Sequence, residues 1–235
     1  MTGREPEFDL IWLRETPEKP APLSREQIVQ AAIELAREGG IDAVSIRRIA
    51  ARLGVGATSL YWHVRSKSDL YELMFDAAFS DLPLPEPSGD WRQDLRAVAL
   101  TAHDLLRRSP WLILLGIQPS IGPSIRRYAE WSFRVLEPLG IDRQTRTDIL
   151  AIINNYLFGF AHRQTAWLQL RERAGLSAGQ WQERLDDYLG RARSADPALA
   201  ADIESRLHLT SEESFELGLD CVLDGIAARL IARSS

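Results

Sequence analysis

The chain has 235 residues, of which 45% are hydrophobic, and its formal net charge is −5. It is long enough to bury a substantial core in one or two domains, and its acidic balance argues against a protein that coats nucleic acid along its whole surface. No apolar stretch approaches the roughly 18 residues of a membrane span, the first residues lack the apolar core of a secretion signal, and a single cysteine allows no disulfide within the chain. These features predict a cytoplasmic protein.

The N-terminal third is predicted to consist of an arm followed by four helices. Residues 1–23 combine four prolines with many charges, which is typical of a flexible segment. The first helix starts at Ser24, which forms a capping box with Gln27, and it ends at the glycine pair 39–40. Three shorter helices follow, from about Ser45 to Gly54, from about Ala57 through Val64, and from Ser66 or Ser68 to about Asp81.

The rest of the chain is also predicted to be helical. A link rich in helix-breaking residues spans 82–89, and Asp90 with Gln93 caps a helix that runs to about Arg108. The stretch 116–123, with two glycines and two prolines, is predicted to be irregular. Further helices are predicted over 123–138, 143–174, 178–193, 197–207 and 211–232. Because no alternating strand pattern and no internal repeat occurs, the predicted fold class is all-α.

One segment has the organisation of a helix-turn-helix. Residues 45–70 contain a short helix, a glycine turn and a second short helix with basic flanks. The window 43–68 holds five basic and no acidic residues, so it carries +5 while the remaining residues carry −10. A local basic face of this kind suits the phosphates of DNA, and a chance cluster of solvated charges is the alternative.

This segment resembles the DNA-binding domain of the TetR family of transcriptional repressors over about residues 24–70. The resemblance is carried by the run Leu60-Tyr61-Trp62-His63-Val64 and by Lys67. It implies a three-helix helix-turn-helix domain over 24–70, followed by a helical effector-binding and dimerisation domain over 71–235. The function that it implies is transcriptional regulation, with a homodimeric repressor that leaves its double-stranded DNA operator when a small molecule binds.

The resemblance assigns DNA contacts by position. Base contacts fall on Arg47, Ala57 and Thr58, and phosphate contacts, or positions close to phosphate, fall on Ser59, Tyr61, His63 and Lys67. Arginine can grip a guanine edge through two hydrogen bonds, and an ammonium at the start of a helix acts on a phosphate together with the helix dipole. By contrast, Trp62 is expected in the core, and Arg48 and Arg52 are expected to be solvated.

Two long helices, 143–174 and 211–232, are predicted to do more than fill the core. Each is apolar on more than one side and so has to be covered on most sides. Gly218 and Gly225 lie seven positions apart on one side of the last helix, where they permit another helix to approach closely. The resemblance implies a four-helix interface in a symmetric homodimer, and burial of both helices within one chain is the alternative.

Polar and aromatic residues within the apolar middle region are candidates for an effector pocket, because such pockets combine apolar walls with a few orienting polar groups. The candidates are His103, Trp111, Gln118, Trp131, Asn154, Phe158, His162 and Trp167. Asn154 and His162 are eight positions apart, near one helix face, and are expected to converge on an apolar, aromatic molecule. No compact set of histidine and carboxylate ligands supports a metal site, and no cofactor is predicted. Each candidate has the alternative of a satisfied core group.

The alternatives to this function are an enzyme, a DNA-binding structural protein and a transcriptional activator. No nucleophile elbow, H-E-x-x-H motif, P-loop or cysteine pairing occurs in the sequence, so the chain is not predicted to be an enzyme. A DNA-binding structural protein without an effector is a second alternative. Activation instead of repression is the third, since the outcome depends on where the operator lies.

Overall fold

The computed structural model describes residue 11 and residues 23–115, 121–208 and 210–231. Over this part the chain is helical and contains no strand, which confirms the predicted all-α class. The helices are α1 (Arg25–Gly39), α2 (Ile46–Leu53), α3 (Ala57–Tyr61), α4 (Lys67–Ala78), α5 (Trp91–Arg108), α6 (Trp111–Leu114), α7 (Pro123–Leu136), α8 (Arg143–Arg173), α9 (Ala178–Ala195), α10 (Pro197–His208) and α11 (Glu212–Ile226).

Most helices start where a short polar side chain accepts a hydrogen bond from the first turn. The predicted capping box is confirmed: Gln27 N donates to Ser24 Oγ over 3.2 Å, and Ser24 N donates to Gln27 Oε1 over 2.9 Å. Asp90 caps α5 in the same manner by accepting from Arg92 N and Gln93 N. Such caps satisfy backbone donors that have no partner within the helix.

Two helix ends and one additional helix differ from the sequence prediction. The third helix ends at Tyr61, so Val64 lies in the turn that follows instead of in the helix. The short helix α6 was not predicted, because four residues carry no helical periodicity. The last helix ends at Ile226 and continues over 227–231 as a π-helix, a wider turn that spacing arguments do not detect.

The described residues form two compact units. The first unit contains the described residues up to Leu82 together with those between Leu114 and Glu130, and so comprises α1 to α4 and the first residues of α7. Helix α1 packs on α2 and α4, and α2 packs on α3. Its core includes the fully buried side chains of Ile28, Ile49 and Leu60.

The second unit contains Pro83–Ile113 and the described residues from Trp131 onward. Helix α5 packs on both α8 and α11, α8 packs on α11, and α9 and α10 pack on each other. None of the helices in the described ranges is both long enough and apolar enough to cross a membrane.

Candidate DNA-binding surface and effector region

The turn between α2 and α3 sets the position of the recognition helix. Gly54 follows α2 with a φ of 66°, a left-handed conformation that glycine adopts without steric cost. Helix α3 is then held by Leu60 and Val64, both of which have no exposed surface. Because these side chains point into the core, the opposite side of α3 faces away from it.

The residues assigned to DNA lie almost entirely on this outward side. Arg47, Ala57, Thr58, Ser59, Tyr61 and Lys67 are exposed, and His63 is half-buried. The exposure is compatible with the assigned roles, which stay predictions. The structure places six of the seven on α2, α3 and the start of α4, and it places His63 in the turn between α3 and α4.

The expectation that Trp62 belongs to the core is wrong, because its side chain is 79% exposed. Leu60 and Val64 are four positions apart and occupy the core side, so a residue midway between them points outward. That spacing was visible in the sequence and could have placed Trp62 correctly. The indole and the phenol of Tyr61, which is 53% exposed, together give the outward side an aromatic patch.

The charges of the basic segment are not equivalent. Arg52 donates to Glu38 over 2.5 Å and lies 3.5 Å from Glu34, so it is ion-paired instead of merely solvated. The hydrogen bond from Arg52 holds the pKa of the Glu38 carboxyl below its usual value, and the same bond raises the pKa of Arg52. Within the described part of the chain, Arg47 makes no such ion pair and keeps its charge available.

Lys67 stands at the first position of α4. Ser66 caps this helix by accepting from Asp69 N over 3.0 Å. The Lys67 ammonium lies 5.2 Å from the centroid of the Tyr71 ring, within the range of a cation–π contact. The contact restrains the side chain while leaving it exposed.

The second unit contains an aromatic cluster around His103. The imidazole is 5% exposed, stacks on Phe215 with a centroid distance of 3.8 Å, and meets the edge of Phe160 at 5.6 Å. Gln164 Nε2 donates to the Thr210 carbonyl over 2.8 Å, which turns Gln164 Oε1 toward His103 Nε2 at 2.9 Å. His103 Nε2 therefore carries the proton and donates it to Gln164.

Burial lowers the pKa of His103, although the hydrogen bond to Gln164 acts in the opposite direction. A lowered pKa in the folded state means that the unfolded chain binds the proton more readily below the ordinary histidine pKa of about 6.5. We therefore expect the free energy of unfolding to fall as the pH falls from about 7 to about 5. The free energy of unfolding, measured by urea denaturation at fixed protein concentration, should fall less steeply with falling pH in the variant His103→Gln than in the wild type. If the pH profiles of the two proteins were parallel, His103 would be excluded as the source of the fall.

The other candidate effector residues are not gathered in one place. Trp111 is 4% exposed, and its buried Nε1 has no hydrogen-bond partner among the described residues. Trp131 is buried and donates to the Pro85 carbonyl over 2.5 Å, which makes it a satisfied core group. Gln118 lies outside the described residues.

The four candidates on α8 divide between two sides of that helix. Asn154 and Phe158 are half-buried, whereas His162 and Trp167 are exposed. Eight positions advance the helix by about 80° beyond two full turns, so Asn154 and His162 lie on neighbouring sides of α8, and their convergence on one ligand stays a prediction. Trp167 instead meets the ring of Trp181 on α9, with a centroid distance of 6.4 Å.

Helix α8 and the segment formed by α11 with the π-helix that continues it each expose a stripe made mainly of small and apolar residues. On α8 the exposed stripe comprises Ile152, Asn155, Gly159, His162, Ala166 and Leu170, and on α11 and its π-helical continuation it comprises Leu217, Cys221, Gly225 and Ala228. Positions spaced in this way recur on one face of a helix. Exposed apolar stripes of this kind, on two helices that pack on each other, are surfaces that another protein can cover.

The two glycines of α11 differ in what surrounds them. A Cβ added at Gly218 would collide with the hydroxyl of Tyr156, so this glycine makes room for a side chain of the same subunit. Tyr156 uses that room to donate to the Phe215 carbonyl over 2.8 Å. At Gly225 none of the described residues comes within 4 Å of an added Cβ, so of these two glycines Gly225 is the one that leaves space for another molecule.

Comparison with known proteins agrees with this arrangement. Residues 28–74 match the model of bacterial regulatory proteins of the tetR family, and residues 82–230 match the tetracyclin repressor-like C-terminal domain. An HTH-type transcriptional regulator of Saccharopolyspora erythraea is 35% identical over 199 residues, which is 82% of this chain and 80% of that protein. The HTH-type transcriptional repressor DrrR1 of Streptomyces coeruleorubidus is 29% identical over 96% of this chain and 86% of its own length.

A solved structure of ActR from Streptomyces coelicolor in complex with actinorhodin superposes with a TM-score of 0.69. The two chains are 26% identical, and the superposition covers 88% of this chain and 97% of ActR. A helix-turn-helix joined to a helical C-terminal region defines a DNA-binding transcriptional regulator. The chain belongs to the TetR family, and as in that family it acts as a homodimer under the control of a small-molecule effector.

Proposed function

We propose that the protein represses transcription in the cytoplasm by occupying a DNA operator as a dimer, and that it leaves the operator when a small molecule binds its second unit. The observation that carries this proposal is the exposed surface on α2, α3 and the start of α4, anchored from behind by Leu60 and Val64. Two such surfaces in a dimer meet two half-sites of an operator. No catalytic step and no cofactor belong to the proposal.

The exposed residues divide by chemistry into two roles. Arg47 offers two donors to a guanine, and the Thr58 methyl group offers an apolar contact to a thymine, so these residues are proposed to select the sequence. Gly56 and Ala57 keep the tip of α3 slim, which favours close approach to the groove. Lys67 and the Tyr61 hydroxyl are proposed to bind phosphates. The exposed indole of Trp62, next to Tyr61 in the chain, is proposed to lie beside these contacts.

The effector is proposed to be an aromatic molecule with a hydrogen-bond acceptor. A buried donor without a partner costs about 1–3 kcal/mol, so the Trp111 N–H is a natural site for an acceptor oxygen. Since His103, Trp131 and Trp167 have partners of their own in the structure, Trp111 is the member of the predicted set that best fits a contact of this kind. The complex of ActR with actinorhodin supports the aromatic character.

The homodimer interface is proposed to consist of the exposed stripes of α8 and α11. Two copies of each stripe can pack as four helices around a two-fold axis. His162 then contacts the partner subunit instead of the effector, because it lies on the α8 stripe. The domain boundary proposed from the sequence, at residues 70 and 71, separates the DNA contacts from this interface.

The proposal is tested by selecting bound DNA from random genomic fragments with the purified dimer. Fluorescence anisotropy with the selected duplex and a scrambled duplex then measures affinity, with and without actinorhodin and other aromatic compounds. A selected duplex that binds more tightly than the scrambled one, and a compound that releases it, support the proposal. Absence of sequence preference would indicate a DNA-binding structural protein, and stimulated transcription from a reporter would indicate an activator.

Lys67→Ala is expected to weaken binding to the selected and scrambled duplexes by the same factor. It should also lower the slope of log Kd against log salt by about one unit, because one phosphate contact and its released counterion are lost. Ser68→Ala is the matched control, since Ser68 is the next exposed residue of α4 and carries no charge. An unchanged salt slope in Lys67→Ala would remove Lys67 from the phosphate contacts.

A further inference from the structure

Within the described residues, the side chain that caps the start of helix α7 comes from another helix. The residue before its first turn is Gly122, which has no side chain, and Pro123 has no N–H to satisfy. Arg126 N donates to the Gly122 carbonyl, so the donors left over in the first turn are Ser124 N and Ile125 N. Both donate to Asp76 Oδ1, over 3.0 and 3.3 Å, and the Ser124 hydroxyl donates to Asp76 Oδ2 over 3.0 Å.

The cap of α7 therefore comes from α4, and it belongs entirely to the first unit. The Asp76 side chain is 5% exposed, which protects these bonds from water. A second set of bonds runs in the opposite direction, because Arg127 of α7 donates to the carbonyls of Ser80 and Leu82 just beyond the end of α4. Each helix thus satisfies backbone groups at the end of the other.

A matching bond set fixes the other end of α4. Asp69 is also buried, and its carboxylate accepts from Arg65 N over 3.2 Å and from the Ser66 hydroxyl over 2.9 Å. These groups form the turn that leads from α3 into α4. Asp69 and Asp76 are seven positions apart, which is two turns of one helix and places them on one side. Helix α4 is therefore hydrogen-bonded to the turn between α3 and α4 at its start, and to α7 near its end.

We propose that Asp76 is a positioning residue for operator binding: by capping α7 from α4, it holds α4 in the orientation that presents Lys67 to DNA. The proposal rests on the proposed phosphate contact of Lys67. Lys67 and Asp76 are nine positions apart, about 13 Å along the helix axis, so the two side chains cannot act on each other directly. Any energetic coupling between them has to pass through the orientation of α4.

The experiment is a double-mutant cycle on operator binding, measured by fluorescence anisotropy with the full dimer. Asp76→Ala is expected to raise the operator Kd by about tenfold, because it removes an entire interhelical cap. The double variant with Lys67→Ala should bind more tightly than the product of the two single losses implies, because a displaced α4 has already lost part of the Lys67 contact. Strictly multiplicative losses would overturn the proposal.

Asp90→Ala is the matched control for lost stability. Asp90 also accepts from two backbone N–H groups of a first turn, those of Arg92 and Gln93, but it does so within its own helix. We expect it to lower the melting temperature as a cap variant does while changing the operator Kd by less than about twofold. An equal loss of operator affinity in Asp90→Ala would show that Asp76 matters for stability alone and would overturn the proposal.

Two milder variants serve if Asp76→Ala does not fold. Asp76→Asn keeps an acceptor oxygen, and Ser124→Ala removes only the hydroxyl bond, so both should raise the operator Kd by a smaller factor than Asp76→Ala. Hydrogen exchange at Ser124 N and Ile125 N should quicken in step with that factor. If Lys67→Ala alone leaves operator binding intact, the proposed phosphate contact of Lys67 is wrong. The comparison of the Asp76 variants with Asp90→Ala still decides whether the cap positions α4. Unchanged operator affinity in the Asp76 variants would reject the proposal that it does.

Discussion

Cys221→Glu is expected to convert the dimer into monomers at micromolar concentration in sedimentation velocity. Cys221 lies between Leu217 and Gly225 on the exposed stripe of α11, and Leu217 itself is 68% exposed in the isolated subunit. If the partner covers this stripe, the variant buries two carboxylates, one from each subunit, with no cation provided for them. An uncompensated buried charge costs about 3–5 kcal/mol, which is enough to dissociate many dimers.

A second variant and a control locate the effect. Gly225→Leu adds a side chain where the subunit itself has open space, so a weakened dimer would place the partner at that position. Ala97→Glu makes the same charge change at an exposed position of α5, and it should leave the dimer intact. If Cys221→Glu sediments as a dimer, the α11 stripe does not form the interface and the four-helix arrangement is wrong.

Loss of the dimer should also weaken operator binding. Each subunit carries one recognition surface, and linking two surfaces raises affinity by a factor of about 100 to 10,000 through effective concentration. Monomeric Cys221→Glu should therefore bind a single half-site as the wild type does but lose that factor on the complete operator. The variant thus separates the affinity of one subunit for a half-site from the gain in affinity that comes from linking two subunits.

The helix starts and ends could be predicted closely from the sequence, because local chemistry determines them. Ser24, Ser45 and Ser66 each accept a hydrogen bond from the backbone three residues onward, a relation that adjacent letters reveal. The left-handed glycines at 40 and 54 end α1 and α2 for an equally local reason. The all-α class follows directly from these signals.

The features that the sequence did not predict depend on contacts between residues that are distant in the sequence. The cap of α7 is borrowed from Asp76, 48 positions away from Ser124, and no local pattern predicts it. Gly218 is required by Tyr156 of another helix, so the two glycines of α11 could not be told apart from spacing. The effector residues are predicted from residue type alone, which does not distinguish the hydrogen-bonded indole of Trp131 from that of Trp111, whose N–H has no partner among the described residues.

The exposure of the residues predicted to bind DNA could be anticipated more fully, because sequence position on two short helices almost determines which side faces outward. The same positions do not reveal which residue reads bases and which binds phosphate. Arg47 and Lys67 are both exposed and both cationic, and only their effects on different DNA sequences separate the two roles.

Arg47→Ala is expected to weaken binding to the selected operator by about 1–3 kcal/mol per base contact, because a guanidinium that holds a guanine through two hydrogen bonds is lost. Binding to the scrambled duplex should weaken much less, since only one charge near the backbone disappears. The measurement is fluorescence anisotropy with both duplexes at several salt concentrations, and the ratio of the two affinities is the quantity of interest.

Arg48→Ala provides the control, because Arg48 is the adjacent exposed arginine on α2 and has the same charge. It lies about 100° away around the helix, so it should reduce both affinities alike and leave their ratio unchanged. A single substituted base pair at the contacted position should cost the wild type as much as Arg47→Ala does and should cost the variant almost nothing. If Arg47→Ala weakened both duplexes equally, Arg47 would be a backbone contact, and sequence recognition would fall to the residues at the start of α3.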